Sequence, residues 1–170
     1  MTTTIQFAKT LPAGNPYIFS NTTVAPSSGL TIARQKAERN ELAYAGDVSP
    51  QLAWELFSTG IAKFVDVRTA RELRSVGAVP NTRHQDVHHI EWLRNEDMSQ
   101  NPYFLDELEA VVSKGNVVLF LCRTGKRSVA AAEAASAIGF RNAFSILEGF
   151  EGGRQAQQGW LNRGLPFVPS

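Results

Sequence analysis

Cys122 is the only cysteine of the chain, and its surroundings indicate chemistry. It directly follows the apolar run Val117–Leu121, three cationic side chains lie within the next five residues, and an alanine-rich helical pattern begins at Ser128. A strand that leads through a tight loop into a helix forms a concavity whose backbone N–H groups bind anions. A cysteine at that position is favoured as the thiolate, which is its nucleophilic form. The sequence therefore predicts a nucleophilic Cys122 that faces a small anion.

The predicted anion-binding loop consists of Arg123, Thr124, Gly125, Lys126, Arg127 and Ser128. Arg127 is the best candidate to contact an anionic substrate, because its planar guanidinium matches the geometry of an oxyanion. Arg123 and Lys126 are expected to shape the electric field at the mouth of the loop. Gly125 gives the backbone the freedom to curl. Ser128 is expected to cap the next helix and has a weaker claim to a polar contact with the sulfur.

Residues 122–128 resemble the active-site loop of the rhodanese family of sulfurtransferases. Other motifs of that family stand in the expected order: Asp66 with Arg68, then Glu72, residues 147–153, residues 159–160 and residues 164–166. The resemblance covers about residues 45–168. It implies a catalytic Cys122, architectural roles for Asp66, Arg68 and Glu72, and no metal or organic cofactor. From the residues themselves, Arg68 and Glu72 are spaced to form an i,i+4 ion pair.

The length of the loop separates two chemistries within the resemblance. Four residues lie between Cys122 and Arg127, whereas cysteine phosphatases, including those that share the rhodanese-like fold, place five residues between the two. By family resemblance, the shorter loop accommodates a sulfur atom on the cysteine better than a phosphoryl group. The opening Cys122-Arg123 also resembles thiosulfate-type loops more than mercaptopyruvate-type loops.

Strand and helix patterns alternate along most of the chain. Helices are predicted over residues 31–42, 50–59, 103–113, 128–138 and 154–163. A further short helix is predicted to begin with a capping box formed by Thr69 and Glu72. Strands are predicted over residues 61–67, 82–87, 117–121 and 143–147. Strands separated by helices predict an α/β fold with a mostly parallel sheet. Together with the resemblance, this predicts a rhodanese-like sheet of about five strands with helices on both faces. We expect an N-terminal arm over residues 1–44, in which residues 17–19 are a possible docking point, and one domain over residues 45–170.

Composition restricts the possible partners and compartment. The net charge is +1 without a block of like charges, which gives no electrostatic case for nucleic acid or an anionic membrane surface. No apolar segment approaches the length of about 18 residues that a membrane span needs. One cysteine excludes an internal disulfide, and the N-terminal residues do not have the pattern of a secretory signal, so we expect a cytoplasmic protein. We expect a monomer or a weak homo-oligomer.

The sequence analysis leads to one functional hypothesis and two alternatives. The first is a sulfurtransferase that moves a sulfane sulfur from thiosulfate, or a similar small anionic donor, to cyanide, an external thiol or a protein thiol through a Cys122 persulfide. The second is a sulfur relay or non-catalytic interaction module. The third is a thiol-dependent phosphatase or arsenate reductase on the same fold, against which the loop length argues.

Two further features are weighed against simpler interpretations. His84, His88 and His89 have spacings that metal ligands can have, but no cysteine or carboxylate pattern completes a site, so surface or loop positions are expected. The family commonly has a histidine and a glycine where this chain has Ala78 and Asn81. That departure leaves the local loop geometry open. The glycine-rich run after residue 147 and Trp160 are expected to pack a last helix and to line one wall of the pocket.

Overall fold

The apolar run Val117–Leu121 forms the central strand of a five-stranded sheet in a computed structural model that describes residues 26–153 and 158–170. The strands are β1 (Gly46–Val48), β2 (Ala62–Asp66), β3 (Val87–His89), β4 (Val117–Leu121) and β5 (Ala143–Ile146). Their order in the sheet is β1-β5-β4-β2-β3, and all four neighbouring pairs are parallel. The helices are α1 (Pro26–Arg39), α2 (Pro50–Ser58), α3 (Ala70–Val76), α4 (Phe104–Val111) and α5 (Lys126–Ala137). The predicted α/β fold is confirmed.

Side chains of β4 alternate between two apolar cores, one on each face of the sheet. Leu119 and Leu121 belong to the core that also contains residues of α1 and α2. Val118 and Phe120 belong to the core that contains residues of α4 and α5. Successive side chains of a strand point to opposite faces, so a strand covered on both sides is apolar throughout. The same alternation places Cys122, the next residue in this series, on the α5 side of the sheet.

Local sequence signals set the starts of two helices. The Ser49 side chain accepts a hydrogen bond from the Leu52 N–H at 3.2 Å, and Pro50 is the first residue of α2. At the start of α3, the Thr69 N–H donates to the Glu72 carboxylate at 2.9 Å while the Glu72 N–H donates to the Thr69 hydroxyl at 3.3 Å. These contacts satisfy N–H groups that have no partner within the helix. The predicted capping box is confirmed.

Several predicted element boundaries are wrong. The first helix spans Pro26–Arg39 instead of residues 31–42, and the third strand spans Val87–His89 instead of residues 82–87. β1 was not located from the sequence, because its three residues are too few to display a period. Of the helix predicted over residues 154–163, residues 154–157 lie outside the described part of the chain, and residues 158–163 form turns instead of a helix.

The N-terminal part of the chain is described only from α1 onward. Leu30 and Ala33 of α1 contribute to the core on the α2 side of the sheet. The docking point predicted at residues 17–19 lies outside the described residues, and the division of the chain after residue 44 stays a prediction. Among the described residues, no helix has both the length and the apolar character to cross a bilayer.

Candidate active site

The Cys122 sulfur lies at the carboxyl end of β4, beneath a loop that leads into α5. The backbone N–H of Gly125 points at Sγ with an N–S distance of 3.0 Å, and the thiol donates to the Ser128 hydroxyl at 3.4 Å. Cys122 is only 1% exposed, on a par with the surrounding core. Carboxyl ends of parallel strands are where α/β sheets place their ligands. The predicted position of the thiol, at the base of a loop and before a helix, is therefore what the structure has.

Gly125 determines how the loop turns into α5. It has φ +99°, a value that glycine adopts without steric cost, and it is the residue that precedes the first turn of the helix. Ser128 was predicted to be this cap, but it is the third residue of α5 and fully buried. Its hydroxyl donates to the Gly125 carbonyl at 2.9 Å and lies 3.0 Å from the Ser145 hydroxyl of β5. Ser128 therefore links the thiol, the loop and the neighbouring strand.

A segment at residues 147–153 supports the loop from behind. The Phe150 N–H donates to the Cys122 carbonyl at 2.8 Å, and the Glu151 N–H donates to the Arg123 carbonyl at 3.0 Å. Gly149 has φ +69°, and a Cβ at that position would lie 2.5 Å from the backbone of Arg123. The supporting segment thus binds the carbonyls of Cys122 and Arg123, while the Gly125 amide faces the sulfur.

The three cations of the loop have three different environments. Arg123 is 55% exposed and pairs with Glu151 at 3.0 Å. Lys126 is exposed, and no carboxylate of the described residues lies within 4 Å of it. Arg127 is half-buried, and its two terminal nitrogens donate to the two oxygens of Glu72 at 2.8 and 2.6 Å. Arg127 was predicted to contact a substrate anion, but its fork is occupied by Glu72.

The Arg127–Glu72 pair is tied to the loop by geometry and by charge. Burial by itself raises the pKa of Glu72, but hydrogen bonds from Arg127 and Thr69 outweigh it and lower that pKa to about 2. The hydrogen bonds that Arg127 donates to Glu72 in turn raise the pKa of Arg127. Both partners are therefore charged at neutral pH. This pair connects the first turn of α5 to the first turn of α3.

Asp66 and Arg68 form a sealed ion pair at the end of β2. Arg68 Nε and Nη2 donate to the Asp66 carboxylate at distances from 2.6 to 3.1 Å, and Nη2 also donates to the Gly77 carbonyl. The Arg68 guanidinium stacks on the Phe150 ring with its Cζ 3.8 Å from the ring centroid. Arg68 Nη1 is buried and has no hydrogen-bond partner among the described residues. The pair thus packs under the segment that supports the loop.

The predicted i,i+4 pair between Arg68 and Glu72 is wrong. Arg68 turns inward to Asp66, and Glu72 turns to Arg127, 55 residues along the chain. A local spacing rule applies to the exposed face of a helix, whereas Arg68 precedes α3 and is buried. The architectural role expected for Asp66, Arg68 and Glu72 stays a prediction.

Comparison with known proteins identifies the family. The profile of the rhodanese-like domain matches residues 49–156, which is more than half of the chain. The chain belongs to the rhodanese-like domain family. A protein of Rickettsia conorii, uncharacterized protein RC0915, is 36% identical over 112 residues, which are 66% of this chain and 87% of that protein.

Two solved structures resemble this rhodanese-like domain. The crystal structure of Rv0390 from M. tuberculosis has a TM-score of 0.65 and 40% sequence identity, and the match covers 73% of this chain and 97% of that one. The solution structure of the polysulfide-sulfur transferase homodimer from Wolinella succinogenes has a TM-score of 0.52 and 21% identity, with coverage of 79% and 87%. The second likeness shows the shared fold alone.

Ala78 and Asn81, which replace the usual family residues, both form hydrogen bonds to other segments of the chain. Ala78 forms an antiparallel bridge with Val168, in which the two residues exchange N–H to carbonyl hydrogen bonds of 2.9 and 2.7 Å. The Asn81 side chain accepts a hydrogen bond from the Val87 N–H at the start of β3. In this rhodanese-like domain, the two positions therefore hold the C-terminal segment and the edge strand, and neither contacts Cys122.

Other sequence-based expectations have mixed outcomes. Trp160 is completely buried and packs edge-on against Trp54 and Phe64, so it belongs to the core and does not line an open pocket. His84 and His89 are exposed, as expected, and His88 is partly buried on β3. The sequence analysis did not predict that residues 147–153 support the Cys122 loop. The available signal was the pair of Glu-Gly steps, Glu148-Gly149 and Glu151-Gly152, directly after a strand. Glycines at such a position predict a turn.

Proposed function

We propose that this rhodanese-like domain is a sulfurtransferase that carries sulfur as a persulfide on Cys122. The observation that carries the proposal is the Gly125 N–H aimed at Sγ from 3.0 Å, at the amino end of the twelve-residue helix α5. A preorganised amide and a helix amino terminus stabilise negative charge on sulfur, first on a thiolate and then on a persulfide. The Ser128 hydroxyl, 3.4 Å from Sγ, is a second polar neighbour.

The first half-reaction takes sulfur from a small anionic donor, for which we propose thiosulfate. The Cys122 thiolate attacks the outer sulfur of thiosulfate, an S–S bond forms to Cys122, and the S–S bond of thiosulfate breaks with release of sulfite. Charge balances, because the thiolate and the thiosulfate dianion give the persulfide anion and the sulfite dianion. The exposed cation Lys126, which has no carboxylate of the described residues within 4 Å, attracts such a donor to the loop.

The second half-reaction needs an external acceptor. Cys122 is the only cysteine in the 170 residues, so no second thiol of this chain can take the sulfur. Cyanide or a thiolate attacks the outer sulfur of the persulfide, and the Cys122 thiolate is the leaving group. Two half-reactions through a covalent intermediate predict ping-pong kinetics.

The occupied fork of Arg127 favours sulfur transfer over phosphoryl transfer. A phosphoryl group on cysteine carries charge on three oxygens and needs several cationic or amide donors around it. Here both terminal nitrogens of Arg127 donate to Glu72, and only four residues separate Arg127 from Cys122. A persulfide adds a single sulfur atom with one charge, which a smaller set of donors can accommodate.

Intact-mass measurement of the purified protein tests the proposal. Incubation with thiosulfate is expected to add about 32 Da, the mass of one sulfur atom, to the protein through an activated thiolate, and cyanide is expected to remove it. The Cys122→Ser variant is the control and should gain nothing. If Cys122 alkylates rapidly with iodoacetamide but gains no sulfur from thiosulfate, the thiosulfate assignment is wrong. A persulfide that forms but that cyanide and small thiols fail to discharge would favour a relay to a protein thiol.

A further inference from the structure

A cavity of about 310 Å³ lies beside the active-site loop, between α3 and the supporting segment. Its lining consists of Arg71, Glu72, Ser75, Val76, Arg123 and Glu151. Arg123 directly follows Cys122 in sequence, and Glu72 holds Arg127 of the same loop. The cavity therefore adjoins the active-site loop, and three of its lining residues, Glu72, Arg123 and Glu151, belong to ion pairs of that loop.

The charges in this cavity are unequally satisfied. Glu72 is paired with Arg127, and Glu151 is paired with Arg123. Arg71 is exposed, and no carboxylate of the described residues lies within 4 Å of it. One guanidinium in the lining thus remains without a counter-charge, beside two carboxylates that are already neutralised. Its planar fork matches a carboxylate in a bidentate geometry.

The size of the cavity favours an organic ligand. Sites for small organic molecules have volumes of about 300–1,000 Å³, and the cavity lies at the lower end of that range. Thiosulfate and cyanide, with a few heavy atoms each, fill only a small part of such a space. Val76 adds an apolar wall and Ser75 a hydroxyl group. A short carbon chain that ends in a carboxylate satisfies Arg71 and also covers Val76.

We propose that this cavity binds the carboxylate of a small organic thiol, with Arg71 as its main partner, and that this thiol is the acceptor of the sulfur held by Cys122. The proposal rests on the proposed function. The thiolate of the acceptor attacks the outer sulfur of the Cys122 persulfide, a new S–S bond forms on the acceptor, and the Cys122 thiolate leaves. The proton of the acceptor thiol goes to solvent, and no oxidant or reductant is consumed.

The test compares two acceptors on persulfide-loaded protein. 3-Mercaptopropionate carries a carboxylate, whereas 2-mercaptoethanol is neutral, and the quantity measured is the ratio of their kcat/KM values for removal of the sulfur. Arg71→Gln is expected to lower that ratio about tenfold, because a hydrogen-bonded charge contact is lost. Arg74→Gln removes an exposed cation from the same helix outside the cavity lining and is expected to leave the ratio unchanged. An unchanged ratio in Arg71→Gln, or an equal fall in both variants, overturns the proposal.

A second measurement does not depend on persulfide formation. 3-(Methylthio)propionate has the carboxylate but cannot accept sulfur, and it should slow alkylation of Cys122 by iodoacetamide in the wild type and in Arg74→Gln. Arg71→Gln should lose this protection. Absence of protection in the wild type overturns the cavity assignment, even where thiosulfate loads Cys122. Protection without loading keeps the cavity assignment and overturns the thiosulfate donor instead.

Discussion

The carboxyl ends of β2 and β4 lie side by side in the sheet and use charge in opposite ways. At the end of β2, Asp66 and Arg68 are buried almost completely, and their charges neutralise each other. At the end of β4, the thiol of Cys122 is followed by Lys126, which reaches solvent and has no carboxylate of the described residues within 4 Å. Charges that are paired within the protein organise its structure, whereas charges that remain open are available to a ligand.

Phe150 connects the two regions. Its ring stacks on the Arg68 guanidinium, and its backbone N–H donates to the Cys122 carbonyl. The buried ion pair at the end of β2 therefore packs beneath the segment that supports the Cys122 loop. Variants that affect only one region should separate stability from sulfur transfer, and the expected effects differ in size.

The largest effect on stability is expected for Asp66→Asn. The substitution keeps the shape of the side chain but leaves the Arg68 guanidinium buried without a counter-charge, which costs about 3–5 kcal/mol of unfolding free energy. Urea unfolding should show a lower midpoint with an unchanged slope. Asp86→Asn, on an exposed loop, is the matched control and should change stability by less than about 0.5 kcal/mol. A loss of less than about 1 kcal/mol in Asp66→Asn would contradict the expected cost of an unpaired buried charge.

An intermediate effect, concentrated on the reaction, is expected for Gly149→Ala. The new Cβ would meet the Arg123 backbone at 2.5 Å, so the supporting segment or the loop must move. Sulfur transfer should fall at least about tenfold, because small misplacements of reacting groups are costly.

Gly164→Ala supplies the control for the backbone conformation. Gly164 has φ +70°, close to that of Gly149, but apart from its chain neighbours no atom of the described residues lies within 4 Å of a Cβ placed there. This variant should show only the cost of the left-handed conformation, about 1–2 kcal/mol of stability, with an unchanged rate. Equal rate losses in the two variants would show that strain, and not contact with the loop, limits the reaction.

The smallest effect is expected at Glu72 and depends on pH. The pKa of Glu72 is lowered from its ordinary value of 4.5 to about 2, so the pair with Arg127 contributes stability above pH 4.5 that is lost as the pH falls towards 2. Glu72→Gln should therefore cost about 1–2 kcal/mol at pH 7 after allowance for solvent screening. Chemical denaturation of both proteins from pH 7 to pH 2.5 measures the difference. A difference that stays constant below pH 4 would contradict this assignment.

Features that depend on neighbours in sequence were predicted correctly. The capping box at Thr69 and the proline at the start of α2 act within one helical turn, and the β4 strand is recognised by its continuous apolar run. The Cys122 loop is similarly local, because its curl depends on Gly125 and on the start of α5. The boundaries that were wrong belong to short or solvent-facing elements, whose periodicity is weak.

The choice of partner among the charged residues could not be read from the sequence. Arg68 has acidic neighbours on both sides, at Asp66 and Glu72, and spacing alone favoured the wrong one. Glu72 instead pairs with Arg127, which lies 55 residues away along the chain. Burial decides such cases, since a charge sealed in the interior needs a counter-charge, and only the packed fold shows which side chains are sealed.

By itself, the sequence determined where Cys122 lies at the end of a strand, the length of the loop that follows it and the parallel α/β sheet, because local propensity and apolar periodicity encode these features. The tertiary structure decided that Arg127 belongs to Glu72, that residues 147–153 hold the loop from behind, and that Arg71 faces a cavity beside it. These contacts join segments that are far apart in the chain. Their energies arise only when packing brings the segments together and removes water from between them.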